Sequence, residues 1–380
     1  MPMTRFLPLL LSLVLVFLCA APARAEWRDG MLSADPTVFD LETAKEALRL
    51  CTLIYYPEQQ AQYMSAAGFI YVGQWNYVRP AGDTRHICAY TIYQKPLDDG
   101  RTAVLILIRG TGDDEWALNM DVMPSGDYNL PYAENFTLAA QNIMDTQAAF
   151  FAGIESPVFL VAGHSRGGAC ANVLGKLLTD AYGEKSVYAY TFATPRTVRG
   201  EYPTYNNIFN IINPCDYITM MPLAAWGFER YGTDITLPTA NATAEQIAAA
   251  REDYQHELGN WGDFKVFKDG TAIPDAFIAA VAAFAPTVRD AYETRHSLTG
   301  PGLSEDGLTG SEFIMKLSIA ILSQDTASLI LDVAKMKANG TDFDAILNVL
   351  TSAAFSGEIN ALTMAHMPGT YASFLSLMSR

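Results

Sequence analysis

VFLVAGHSRGGACANVLGKLL, residues 158–178, runs from an apolar segment through a Gly-His-Ser-Arg-Gly-Gly cluster into an amphipathic one. The first segment is rich in β-branched residues and reads as a buried strand. After the cluster, Ala169, Ala171, Val173, Leu174, Leu177 and Leu178 recur at helical spacing. Gly163, Ser165 and Gly167 stand in the G-x-S-x-G pattern of a nucleophile elbow, where a sharp strand-to-helix turn exposes a serine. So tight a turn strains the serine backbone and brings strand and helix too close for a Cβ at the flanking positions. Five residues alone are a weak signal; the strand before and the helix after carry the reading.

Working outward, residues 40–64 have apolar positions at three- and four-residue steps and read as one helix covering a sheet face. FIYVGQWNYV, RHICAYTIYQK and RTAVLILIRG read as strands, the last almost continuously apolar, as a strand buried on both faces should be. A helix is expected over 132–153. The elbow follows, and then the strands SVYAYTFATP and YNNIFNIINP. This alternation is that of an open, mostly parallel α/β sheet. Beyond residue 229 the pattern becomes a series of amphipathic helices, read as an insertion at about 240–360 that packs on the sheet or caps the substrate side. With no linker or repeat inside 380 residues, one elaborated domain over 26–380 is expected.

The first 25 residues have Arg5, an apolar run from Phe6 to about Ala21, and Ala23-Arg24-Ala25 before Glu26, the form of a cleaved secretory signal. The run is shorter than the roughly 20 residues that span a bilayer, so no transmembrane segment is expected in the mature chain. Losing Arg5 and Arg24 takes the formal charge from −16 to about −18, which disfavours nucleic acid and strongly anionic membranes as partners. Cys51, Cys88, Cys170 and Cys215 remain, an even number that permits two disulfides without assigning a pairing. Their wide spacing argues against zinc. Asn135, Asn241 and Asn339 stand in Asn-x-Ser/Thr sequons.

A nucleophilic Ser165 needs a base, a carboxylate to orient that base, and donors for the oxyanion. In elbow enzymes the chain order is serine, acid, histidine. NIFNIINPCDYITMMP ends a strand at Asn213-Pro214 and presents Asp216, with Asp234 as the second choice. His86 and His164 precede the serine, and His164 should point away from it; His256 sits in a polar helix pattern. His296 and His366, each on a loop, both remain as possible bases. For the oxyanion, the backbone N–H of Arg166 and a donor from LILIRGTGDDEW, with Thr111 directly after the strand, are the candidates.

Four segments, IRGTGDDEW, VAGHSRGGACANVLG, TFATPRTV and INPCDYITMMP, together resemble the class 3 (fungal-type) lipases of the α/β-hydrolase superfamily, in order and in rough spacing. The resemblance covers about residues 101–222. It implies an α/β-hydrolase-type mostly parallel sheet flanked by helices, with Ser165 as nucleophile, Asp216 as triad acid, and Thr111 with Arg166 as oxyanion donors. The family's histidine often lies in a His-x-x-x-x-Tyr segment, a form that His366 and Tyr371 match and His296 does not. Arg166 stands where the family usually has leucine, and the stretch from Asp216 to His366 exceeds what the family core needs. The family's lid would fall at about 113–132. The implied function is a secreted serine carboxylic-ester hydrolase, a triacylglycerol lipase or lipase-like esterase working through an acyl-enzyme on a neutral lipid or other ester. That chemistry needs no cofactor or metal. The alternatives are a phospholipase or feruloyl-type esterase with the same triad, a peptidase, and an inactive hydrolase fold that binds a lipid or partner.

Overall fold

The computed structural model describes residues 27–78, 87–111, 130–224, 227–258, 270–279 and 359–378. The leader, His296, Asn339, and most of the expected lid and insertion lie outside these residues.

Strand β3 (Thr102–Ile108) and strand β4 (Pro157–His164) form the centre of a seven-stranded sheet. Their continuous apolar character has the expected consequence. Ala103, Leu105 and Leu107 with Val158, Leu160 and Ala162 enter the core on one face, while Val104, Ile106 and Ile108 with Phe159 and Val161 enter the core on the other. Period-two alternation divides each strand between two cores, so neither face can remain polar.

Strand β1 (Ile70–Trp75), β2 (Tyr90–Pro96), β5 (Val187–Phe192), β7 (Ile208–Ile212) and β9 (Thr233–Thr236) complete the order β1-β2-β3-β4-β5-β7-β9. From β3 to β9 every pairing is parallel, and β1 and β2 are added antiparallel. A separate two-stranded ribbon pairs β6 (Val198–Arg199) with β8 (Phe228–Glu229).

Helix α1 (Leu41–Leu53) lies on one face of the sheet and begins at Asp40, whose side chain accepts a hydrogen bond from the Thr43 N–H. The single helix expected over 40–64 is in fact two, α1 and α2 (Pro57–Ala66). Proline is the cause. It cannot donate an N–H to a continuing helix and drives the residue before it out of the helical region, here Tyr56 at φ −128°, ψ 75°.

Helices α3 (Glu134–Ala152) and α4 (Arg166–Tyr182) pack on the opposite face. Helices α5 (Ala244–Leu258), α6 (Ile359–His366) and α7 (Pro368–Leu377) follow, with α7 against α1 and α5. Thus the last described helix lies on the α1 side of the sheet. Among the described residues no helix is long and apolar enough to cross a membrane.

Of the three sequons, Asn135 is fully buried and its side-chain oxygen accepts the Phe136 N–H, so the folded protein does not offer it for glycosylation. Asn241 is exposed.

Candidate active site

Ser165 stands between β4 and α4 with φ 60° and ψ −127°, a conformation costly for a residue with a Cβ. Such strain is on the order of 1–3 kcal/mol and persists only when the surroundings over-determine it. Here the glycines do so. A Cβ on Gly163 would come within 2.1 Å of the Gly167 carbonyl oxygen, and one on Gly167 within 2.3 Å of the Ile108 carbonyl oxygen. Strand, turn and the neighbouring β3 end therefore close on one another only because those side chains are missing.

The bend presents the hydroxyl to an imidazole from the far end of the chain. Ser165 Oγ lies 2.9 Å from His366 Nε2, and His366 Nδ1 lies 2.8 Å from Asp216 Oδ2. A carboxylate only accepts, so Nδ1 carries a proton and Nε2 of the neutral ring is free to take the serine proton. All three side chains are buried.

Asp216 follows β7 and uses its two oxygens separately. Oδ1 accepts the Ile218 N–H at 3.0 Å and caps the short 3-10 turn Tyr217–Met220, while Oδ2 also accepts the Tyr371 hydroxyl at 2.8 Å. Capping and imidazole orientation are thus combined in one residue. Asp234, the second choice for the acid, is instead engaged by Arg230 at 2.8 Å and by the Asn210 amide at 3.1 Å.

Three further residues hold the histidine, and sequence reasoning assigned none of them a role. Asn213 donates its side-chain amide to the Ala365 carbonyl at 2.8 Å, and its backbone N–H reaches Tyr371 Oη at 3.2 Å. His164 Nε2 lies 2.9 Å from the His366 carbonyl oxygen, which can only accept, so His164 is protonated there. Its ring therefore points under His366, and it is not merely turned away from the serine. Burial first, and the neighbouring His366 second, hold the His164 imidazole well below the usual histidine value. Burial also raises the Tyr371 phenol well above its ordinary value, with the Asp216 charge adding to the effect, so it remains a donor. Of these three, only Tyr371 had a local signal, its place in the His-x-x-x-x-Tyr form.

Arg166 opens α4, where the first N–H groups of a helix have no intrahelical acceptor and point outward beside Ser165. Its side chain is buried, and Nη2 donates to the Ile87 carbonyl at 3.0 Å. Gly110, next to Thr111, brings the β3 loop against the elbow: a Cβ there would meet the His164 carbonyl oxygen at 2.9 Å and Ser165 Cβ at 3.6 Å. His256 lies in α5, and His86 and His296 fall outside the described residues.

The family model described as lipase (class 3) matches residues 108–226. Over that span the chain is similar to the class 3 lipases. The matched segment contains Thr111, Ser165, Arg166 and Asp216 and ends well before His366. Among solved structures, the triacylglyceride lipase of Rhizomucor miehei is 17% identical, covering 55% of this chain and 79% of that one at a TM-score of 0.35. Lip2 lipase of Yarrowia lipolytica is 14% identical, covering 52% and 80% at a TM-score of 0.39. The transcriptional modulator WTM1 of Saccharomyces cerevisiae is 31% identical over 109 residues, 29% of this chain and 22% of its own length. The chain thus spans less than a quarter of that curated relative.

Proposed function

We propose that the protein is an exported serine carboxylic-ester hydrolase, a triacylglycerol lipase or lipase-like esterase acting on neutral lipid or other ester. The observation that carries this reading is the continuous relay Ser165 Oγ–His366–Asp216, with contacts of 2.9 and 2.8 Å, at a strained elbow.

In this reading Ser165 Oγ attacks the ester carbonyl carbon while His366 Nε2 takes its proton. The carboxylate of Asp216 holds the Nδ1–H tautomer and stabilises the imidazolium that forms. Negative charge grows on the carbonyl oxygen, and the Arg166 N–H with the Thr111 donor stabilises it; one such donor is worth about 2.7–4 kcal/mol in comparable sites. His366 then gives its proton to the departing alcohol, leaving Ser165 acylated. Water, deprotonated by the same nitrogen, releases the acid. The apolar leader pattern of the first 25 residues supports export.

A fluorophosphonate probe that labels the intact protein, with labelling lost in Ser165→Ala, is the expected outcome. Hydrolysis of p-nitrophenyl esters and emulsified triglyceride should fall about 10⁴-fold or more in the same variant. Failure of the wild-type protein to take the probe would turn the reading toward a binding protein built on a hydrolase fold.

A further inference from the structure

Cys88, just before β2, and Cys170, one turn into α4, are both buried among apolar residues of the α3–α4 core. Their sulfur atoms stand 2.7 Å apart although the residues are 82 positions apart in sequence. Non-bonded carbon atoms already need about 3.5–4.0 Å, and sulfur is larger, whereas a sulfur–sulfur bond measures about 2.03–2.05 Å. Two thiols cannot pack stably at this distance; a covalent bond accommodates it. A second contact brings the same segments together: Arg166, one helical turn before Cys170, donates from Nη2 to the Ile87 carbonyl at 3.0 Å. Successive turns of the nucleophile helix thus grip residues 87 and 88.

We propose that Cys88 and Cys170 form a disulfide that ties the helix following Ser165 to the antiparallel edge of the sheet. The oxidant is a disulfide of low molecular weight or of an oxidoreductase, as oxidising export compartments supply. One cysteine thiolate attacks it, forming a mixed disulfide and releasing one thiol. The second cysteine thiolate then attacks the cysteine sulfur of that mixed bond and releases the other thiol. In sum, two cysteine thiols lose two electrons and two protons, and one disulfide becomes two thiols. Because both sulfurs are buried in the folded chain, the bond forms before α4 closes on the sheet. Cys51 and Cys215, also buried, take no part in this pairing.

The proposal rests on the thiol geometry and not on the hydrolase reading, so the two fail separately. Its test is to refold the full chain from denaturant in a glutathione redox buffer, alkylate in denaturant without reductant, and map peptides by mass. The expected result is a linked pair containing Cys88 and Cys170, lighter by two hydrogens, with Cys51 and Cys215 alkylated. Adding dithiothreitol should lower the melting temperature of wild type by about 3–6 °C and leave a Cys88→Ala/Cys170→Ala double variant unchanged. Alkylation of Cys88 and Cys170 in the oxidised wild-type protein, or their linkage to other cysteines, overturns the proposal.

Discussion

The hydroxyl of Tyr371 donates to the same Asp216 oxygen that accepts the His366 Nδ1 proton. Removing it leaves a buried carboxylate oxygen with one fewer donor and the Asn213 N–H without its acceptor. If the proposed relay operates, Tyr371→Phe should lower kcat about 5–30-fold, about 1–2 kcal/mol, with little change in KM. Steady-state kinetics separates the two parameters, and a loss confined to KM would mean that Tyr371 shapes substrate binding. His164 makes a different prediction. Its folded-state value is depressed by burial, so near pH 6.5 and below the unfolded chain binds a proton that the folded chain refuses. Stability from this group is therefore complete above about pH 6.5 and declines as the pH falls toward the folded value. Denaturant unfolding at pH 7.5 and pH 5 should show a smaller acid-induced drop in His164→Gln, whose amide can still donate to the His366 carbonyl. An equal drop in both proteins would assign the acid sensitivity elsewhere.

Among the elements, the elbow depends on the approach of β3, β4 and α4. Gly167 stands where three backbones converge, and its hypothetical Cβ would fall 2.3 Å from the Ile108 carbonyl oxygen and 2.8 Å from that of Arg109. Backbone atoms cannot yield as a flexible side chain can. Gly167→Ala should therefore cost more than about 3 kcal/mol and depress activity more steeply than stability, because the displaced loop carries Thr111. Thermal melts and probe labelling measured together distinguish this from simple unfolding. The helix α4 is held from its other side by Asn172, whose amide donates to Asn210 at 2.9 Å and to the Tyr231 carbonyl at 2.8 Å, and whose oxygen accepts from Thr197 at 2.6 Å. That network is polar in a position the helical pattern marks as interior. It is one reason the sequence of α4 looks less regular than its burial. Periodicity alone likewise ran α1 and α2 together, since a single proline decides the break and the apolar spacing continues across it.

At the scale of the molecule, the relay joins residues 201 positions apart, with the class 3 match ending at residue 226 and the histidine at 366. Helices α6 and α7 return to the α1 face and set His366 beside the elbow, anchored through Asn213 to Ala365 and Tyr371. If the proposed relay operates, His366→Ala should lower ester hydrolysis about 10⁴-fold or more, as Ser165→Ala does, while His296→Ala keeps most of it. The opposite pattern would transfer the base to His296. Local order, by contrast, was present in the primary structure itself. An apolar run, three small residues and an amphipathic run dictate strand, tight bend and helix because each depends on neighbours within a few positions. Doubly buried β3 and β4 followed for the same reason, and so did an acid at the tip of β7. Which imidazole meets the hydroxyl and which carboxylate meets that imidazole, the burial of Asn135, and the support given by His164, Asn213 and Tyr371 depended on the packed chain. No local pattern encodes the distance between residues two hundred positions apart; only closing the sheet, with both faces covered, fixes it.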